Sequence, residues 1–167
     1  MSMLPGAPGS LAGERLEDVI VIRSLTKLLS IPGLRAGYAI APPALATALR
    51  EVCPPRSANV LALAALRTAA ARREELAELS ARAAAERADL ECRLSAIDGV
   101  RTWPSATNFC LIEVADGPGV LAALRARRIA VRPAASFPGL GPGYLRLTAR
   151  DPELNARVER VIAEATG

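Results

Sequence analysis

Lys27 is the only lysine among 21 basic residues; the other 20 are arginine. Most uses of a surface cation tolerate that exchange. An amine that must lose its proton and attack a carbonyl does not, because a guanidinium stays protonated. Lys27 is thus either one leftover surface cation or a nucleophile. Its neighbours favour the second. It lies in the stretch Val19–Ala41, VIVIRSLTKLLSIPGLRAGYAIA, with Ser24 and Thr26 just before it and Arg35 eight residues after it. Hydroxyls and a guanidinium suit phosphate oxygens, and an amine suits an aldehyde. Two further arginines invite attention. Arg132 and Arg146 stand among apolar residues on either side of the loop SFPGLGPG. Either they snorkel from strand edges or they face a site.

The elements that must position these groups are short. Val19–Ile22 is a β-branched run, predicted as a strand buried on both faces. The hydroxyls and Lys27 follow its end. Pro32-Gly33 marks a turn and a second strand covers 36–41. Strand ends in open α/β sheets are where ligands sit. Pyridoxal phosphate carries both a phosphate and an aldehyde.

The segment SLTKLLSIPGLRAGY resembles the Schiff-base segment of fold-type-I pyridoxal-phosphate enzymes, the class I/II aminotransferases. Within them it is most similar to the histidinol-phosphate aminotransferase and threonine-phosphate decarboxylase group. The resemblance implies that Lys27 holds the cofactor aldehyde, that Ser24 and Arg35 bind its phosphate, and that Thr26 assists. GYLRLTARDPELN resembles the C-terminal motif of the same group, which implies that Arg146 binds a substrate carboxylate and Arg132 a second anionic group. ASFPGLGPGYLR is closer to threonine-phosphate decarboxylase, an enzyme of cobalamin-biosynthesis type. Arg56 departs from the pattern, standing where those relatives carry an aromatic residue. A rival motif fails: S-x-x-K also serves serine β-lactamases, but these need a K-T-G element, and the only lysine is already used.

Composition narrows the classes further. At 167 residues with 51% hydrophobic and 3% aromatic content, the core must come from Ala, Leu, Val and Ile. Histidine is absent, which excludes Ser-His-Asp and Cys-His catalysis within this chain and most zinc patterns, so no metal site is expected. Cys53, Cys92 and Cys110 are scattered, as reduced thiols of a cytoplasmic protein would be. The net charge of +4 does not point to nucleic acid. Arg72, Arg73, Arg82, Arg87 and Arg93 alternate with glutamates as on a solvated helix face, and aromatics for base stacking are scarce. No apolar run is long enough to span a bilayer, and the N-terminus does not read as a signal peptide.

The rest of the chain alternates helices and strands. A helix is predicted from 43 to about 52. Helical, Ala-rich sequence with a break near Ala71-Arg72 fills 58–97, with Leu76, Leu79, Ala83, Leu90, Leu94 and Ile97 as its stripe. Strands are predicted at 100–103, 109–114, 129–133 and 144–149. A helix is predicted over 116–128, and another from Asp151-Pro152, with Leu154, Val158, Val161 and Ile162 inward. The fold class is α/β: the C-terminal portion of a type-I pyridoxal-phosphate transferase fold, comprising the last strands of the large domain plus the small α/β domain. The divisions are 1–18 lead-in, 19–55 large-domain remnant carrying the lysine, 56–97 connecting helices and 98–167 small domain. The resemblance implies a phosphorylated amino-acid substrate. It also implies that the carboxylate serving the pyridine nitrogen lies upstream of Met1. Asp18 precedes a strand of roughly 20 Å and is too far from Lys27 to serve. Three readings follow: one half of a split enzyme that works with a separately encoded N-terminal chain, a truncated product without activity, or a non-catalytic domain kept for interactions. The partner expected is a second copy in a homodimer or a complementing N-terminal half.

Overall fold

In the computed structural model the described residues are Leu11, 17–26 and 29–167. Lys27 and most of the 1–18 lead-in lie outside them. The chain divides into two compact units, the first reaching Ser80 and the second beginning at Ala81.

In the first unit, β1 (Val21–Ser24) and β2 (Gly37–Ile40) form an antiparallel pair. Gly37 is required there: a Cβ would stand 2.7 Å from the Arg23 carbonyl oxygen. Between the strands, Pro32–Leu34 makes one 3₁₀ turn that ends at Arg35, in the left-handed region at φ 51°. The strand predicted at 19–22 is displaced toward the C-terminus, and its two-sided burial is not found. Ile22 is 70% exposed and Ile20 40%, because β1 pairs with β2 alone among the described strands. Helix α1 (Pro43–Val52) follows, then α2 (Val60–Ala71) and α3 (Arg73–Ser95), with the predicted break falling at Arg72. Asn59 caps α2, its side-chain oxygen accepting from Ala62 N at 2.8 Å.

The second unit is a four-stranded antiparallel sheet, ordered β3 (Arg101–Trp103), β4 (Phe109–Glu113), β6 (Tyr144–Thr148), β5 (Arg132–Pro133). Period-two alternation sorts its side chains. Cys110, Ile112, Leu145 and Leu147 point to one face, where they pack with Leu90 and Leu94 of α3, Val120 and Leu124 of α4 (Gly117–Ala126), and Val161 and Ile162 of α5 (Pro152–Thr166). Each fully buried aliphatic side chain contributes about 1.5–3 kcal/mol of transfer free energy. Asp151 caps α5 as expected, accepting from Leu154 N at 3.0 Å. Leu154 itself is exposed rather than inward, since it falls in the first turn, beyond the stripe of Val158, Val161 and Ile162. Asn155 is buried and fully bonded: it donates to Glu86 O and Asp89 Oδ2 and accepts from Arg150 N, tying α5 to α3.

The loop from β5 to β6 is fastened at its base. Ala134 N donates to Tyr144 O at 2.9 Å and Val114 N to Gly143 O at 3.0 Å. A Cβ on Gly117 would meet the Pro142 carbonyl oxygen at 2.1 Å, so α4 starts hard against the loop. Its tip, by contrast, has open space around Gly139 and Gly141.

Candidate functional site

Ser24 ends β1 opposite Gly37, and Arg35 leaves the 3₁₀ turn two residues before that glycine. Their side chains make no hydrogen bond to another described residue, so a hydroxyl and a guanidinium remain free to donate at one end of the hairpin. Thr26 differs: its hydroxyl donates to the Ala36 carbonyl oxygen at 3.3 Å. That proton fastens the loop to β2 and leaves Thr26 with acceptor capacity, which suits a phosphate poorly. Leu25 N also donates to Ala36 O, at 3.1 Å. A residue outside the expected donor set completes this end. Asn59, besides capping α2, donates from Nδ2 to the Leu34 carbonyl oxygen at 3.1 Å. One side chain thus holds the helix start against the residue preceding Arg35. A cavity of about 300 Å³ elsewhere in this unit is lined by aliphatic residues such as Leu29, Ile31, Leu76 and Leu79, with Thr68, Arg72 and Glu75 also in its wall. Its wall is mostly apolar and does not include Ser24 or Arg35.

In the second unit, Arg132 and Arg146 are direct cross-strand partners. Opposed residues of an antiparallel pair project to the same face. Both arginines therefore stand on the face opposite the core, in a row that continues through Leu111 to Trp103. Arg146 is half-buried, with its guanidinium carbon 4.4 Å from the Phe109 ring centroid; that of Arg132 lies 5.2 Å from the Phe137 centroid. Burial, and then the charge of Arg132, push the Arg146 pKa below its usual value. Neither forms an ion pair with a carboxylate among the described residues. Arg101, on the same face, does: it lies 4.7 Å from the Trp103 centroid and pairs with Glu113 at 3.6 Å. Glu113 also accepts from the Tyr144 hydroxyl and raises that phenol's pKa. The glutamate-rich helix behaves as its charge pattern indicated, with Arg82–Glu86 and Arg93–Asp89 pairs along α3.

Comparison with known proteins bears on what these groups do. The family aminotransferase class I and II matches residues 5–162. The chain belongs to this family. A histidinol-phosphate aminotransferase of Chromobacterium violaceum is 37% identical over 146 residues, covering 87% of this chain and 40% of the relative. The L-threonine-O-3-phosphate decarboxylase of Porphyromonas gingivalis superposes with a TM-score of 0.80 at 23% identity, over 90% of this chain and 47% of that one. A histidinol-phosphate aminotransferase of Sinorhizobium meliloti, solved with pyridoxal 5'-phosphate, gives 0.75 at 22% identity, over 90% and 41%. At those identities the structures speak for the fold alone, and the fold is that of type-I pyridoxal-phosphate transferases. The chain spans about 40% of the length of the curated relatives it matches. Pyridoxal 5'-phosphate is the cofactor of the class I and II aminotransferases. The donor set at the hairpin end, a hydroxyl and a guanidinium without competing partners, fits the cofactor's phosphate. No helix among the described residues is long and apolar enough to cross a membrane.

Proposed function

We propose that this chain carries part of the active site of a pyridoxal-phosphate enzyme acting on a phosphorylated amino acid or amine. In this reading Ser24 and Arg35 hold the cofactor's phosphate, with Thr26 fastening the loop beside them. The Lys27 amine holds the aldehyde and moves a proton at the substrate's α-carbon. When bound, the cofactor supplies an electron sink for that carbon. Residues 19–55 form the cofactor side, 56–97 the connecting helices and 98–167 the small domain. Asp18 precedes β1 whereas Ser24 ends it, so Asp18 does not serve the pyridine nitrogen, and in this reading another carboxylate, from a complementing polypeptide or a second copy, does.

The observation that carries the substrate class is the direct pairing of Arg132 with Arg146, with no carboxylate partner to either among the described residues. A single carboxylate needs one bidentate guanidinium. Two on neighbouring strands suit a substrate with two anionic groups. Amino transfer on a histidinol-phosphate-like substrate is favoured by the 37% identical relative. Decarboxylation of a phosphorylated amino acid is the second reading, favoured by the ASFPGLGPGYLR stretch.

Borohydride reduction in the presence of pyridoxal phosphate tests the cofactor side. One adduct is expected, mapping to Lys27; labelling only at the α-amino group sinks the assignment. With an assembly that binds substrate, Arg132→Ala and Arg146→Ala should each weaken binding by about 1.5–3 kcal/mol. Lysine should not restore it, since the planar fork is lost, and the Lys27 adduct should survive both changes. Normal substrate binding with a loss of fold stability would make the arginines structural.

A further inference from the structure

Three arginines on the open face of the second unit each lie against an aromatic ring: Arg101 on Trp103, Arg132 on Phe137 and Arg146 on Phe109. The chain has only five aromatic residues, by the Phe, Trp and Tyr counts of its sequence. Four of them, these three rings and Tyr144, belong to this unit. The three arginines differ in one respect. Arg101 is neutralised by Glu113 at 3.6 Å. Arg132 and Arg146 have no carboxylate among the described residues and face each other across β5 and β6. Two like charges in direct register repel, and ordinarily would swing apart into water. A ring face attracts a guanidinium and fixes its plane without neutralising it or using up its N–H donors. A carboxylate would do the reverse, holding the arginine but occupying the donors an anion needs.

We propose that Phe109 and Phe137 are positioning residues, holding the Arg146 and Arg132 guanidiniums flat on the sheet with their donors free for anion oxygens. This inference rests on the reading of the two arginines as an anion site. The two props are not equivalent. Phe109 is on β4, diagonal to Arg146 across the ladder, and is held by a paired strand. Phe137 is on the loop and 38% exposed. Phe109 thus holds its arginine in a fixed place, while Phe137 holds its own from a movable one.

The test is a titration of the 167-residue chain with inorganic phosphate, followed by NMR of ¹⁵N-labelled arginine side chains. The Nε–Hε signals of Arg132 and Arg146 are expected to move with phosphate, and that of Arg101 to stay still. In Phe109→Leu the ring-current shift of Arg146 Nε–Hε should vanish and the phosphate dissociation constant should rise about 3- to 10-fold, as loss of a cation–π contact implies. Phe137→Leu should do the same for Arg132 with a smaller loss of affinity. Phe109→Tyr and Phe137→Tyr should restore both shift and affinity, which a merely space-filling role would not require. Unchanged phosphate affinity in Phe109→Leu and Phe137→Leu, with affinity lost in Arg132→Ala and Arg146→Ala, overturns the positioning role and leaves the anion site standing. Affinity unchanged in the two Arg→Ala variants overturns both. Should Phe109→Leu fail to fold, Phe137→Leu decides alone, because its ring lies on an exposed loop outside the core.

Discussion

The hairpin β1–β2 and the four-stranded sheet present similar chemistry on different supports. Each offers donors for anions. Behind Arg146 lies a layer of three helices, with Leu145 and Leu147 on the reverse of its own strand buried to 1% exposure. In the hairpin, among the described residues of 20–40, only Leu25 and Ala36 are comparably buried, and Ile20, Ile22, Tyr38 and Ile40 are exposed. A two-stranded sheet is marginal in water. Precision at a site therefore has two sources here. The sheet arginines inherit it from a packed layer, whereas Arg35 depends on local fasteners: the Asn59 bond to Leu34 O and the Thr26 bond to Ala36 O.

The largest contrast should appear in amide exchange. Amides of the β4–β6 ladder should exchange at least about 10³-fold more slowly than those of β1–β2, since core strands open only near the global unfolding free energy. Equal protection would mean that the hairpin has support the packing does not reveal. Substitution should sharpen the comparison next. Leu147→Ala should cost about 2–5 kcal/mol in urea unfolding, and Ile22→Ala, despite the longer side chain's β-branching, should stay within about 0.5 kcal/mol. Comparable costs would break the distinction. The smallest effect is one of pH. Hydrogen bonds from Arg93 and then Asn155 hold the Asp89 carboxyl below its usual pKa, against the opposing effect of burial. A depressed folded pKa means that this stabilisation is present above the unfolded value of about 3.9 and is lost as pH falls through the folded one. The gap in Tm between the native chain and Asp89→Asn should therefore be widest near neutrality and close in acid. Trp103, the single tryptophan, reports the sheet unit alone. A gap that widened in acid would reverse the assigned sign.

The sequence made most elements of the second unit readable because β4 and β6 alternate buried with part-buried residues and because α4 and α5 each carry a buried stripe behind a capping aspartate. Asp151, for example, announced α5 before a clear run of Val158, Val161 and Ile162. It misplaced β1 because Val19–Ile22 reads as a strand wrapped on both sides, and the wrapping would have to come from residues other than β2. Leu154 was misjudged for a simpler reason: a helical stripe says nothing about where the covering layer stops. On the site, residue types pointed to Ser24, Arg35, Arg132 and Arg146, but the register of Arg132 with Arg146 could not be read without the strand pairing. The bond from Asn59 to Leu34 and the stacking of Phe109 and Phe137 on arginines could not be read, because contacts between residues distant in the chain leave no mark on local pattern.

The β5–β6 loop has a consequence for how such an enzyme diversifies. Its base is clamped where Gly117 admits no side chain and where Ala134 and Gly143 join the backbone ladder, while at the tip Gly139 and Gly141 have open space around them and the exposed Phe137 lies against Arg132. Mutation at the base is paid in folding; mutation at the tip is not. A lineage can exchange, lengthen or shorten the tip and so redraw the surroundings of one arginine while the other stays where the sheet puts it. If Arg132 and Arg146 take the substrate's anionic groups as proposed, substrate preference becomes a heritable variable separated from the inheritance of the fold.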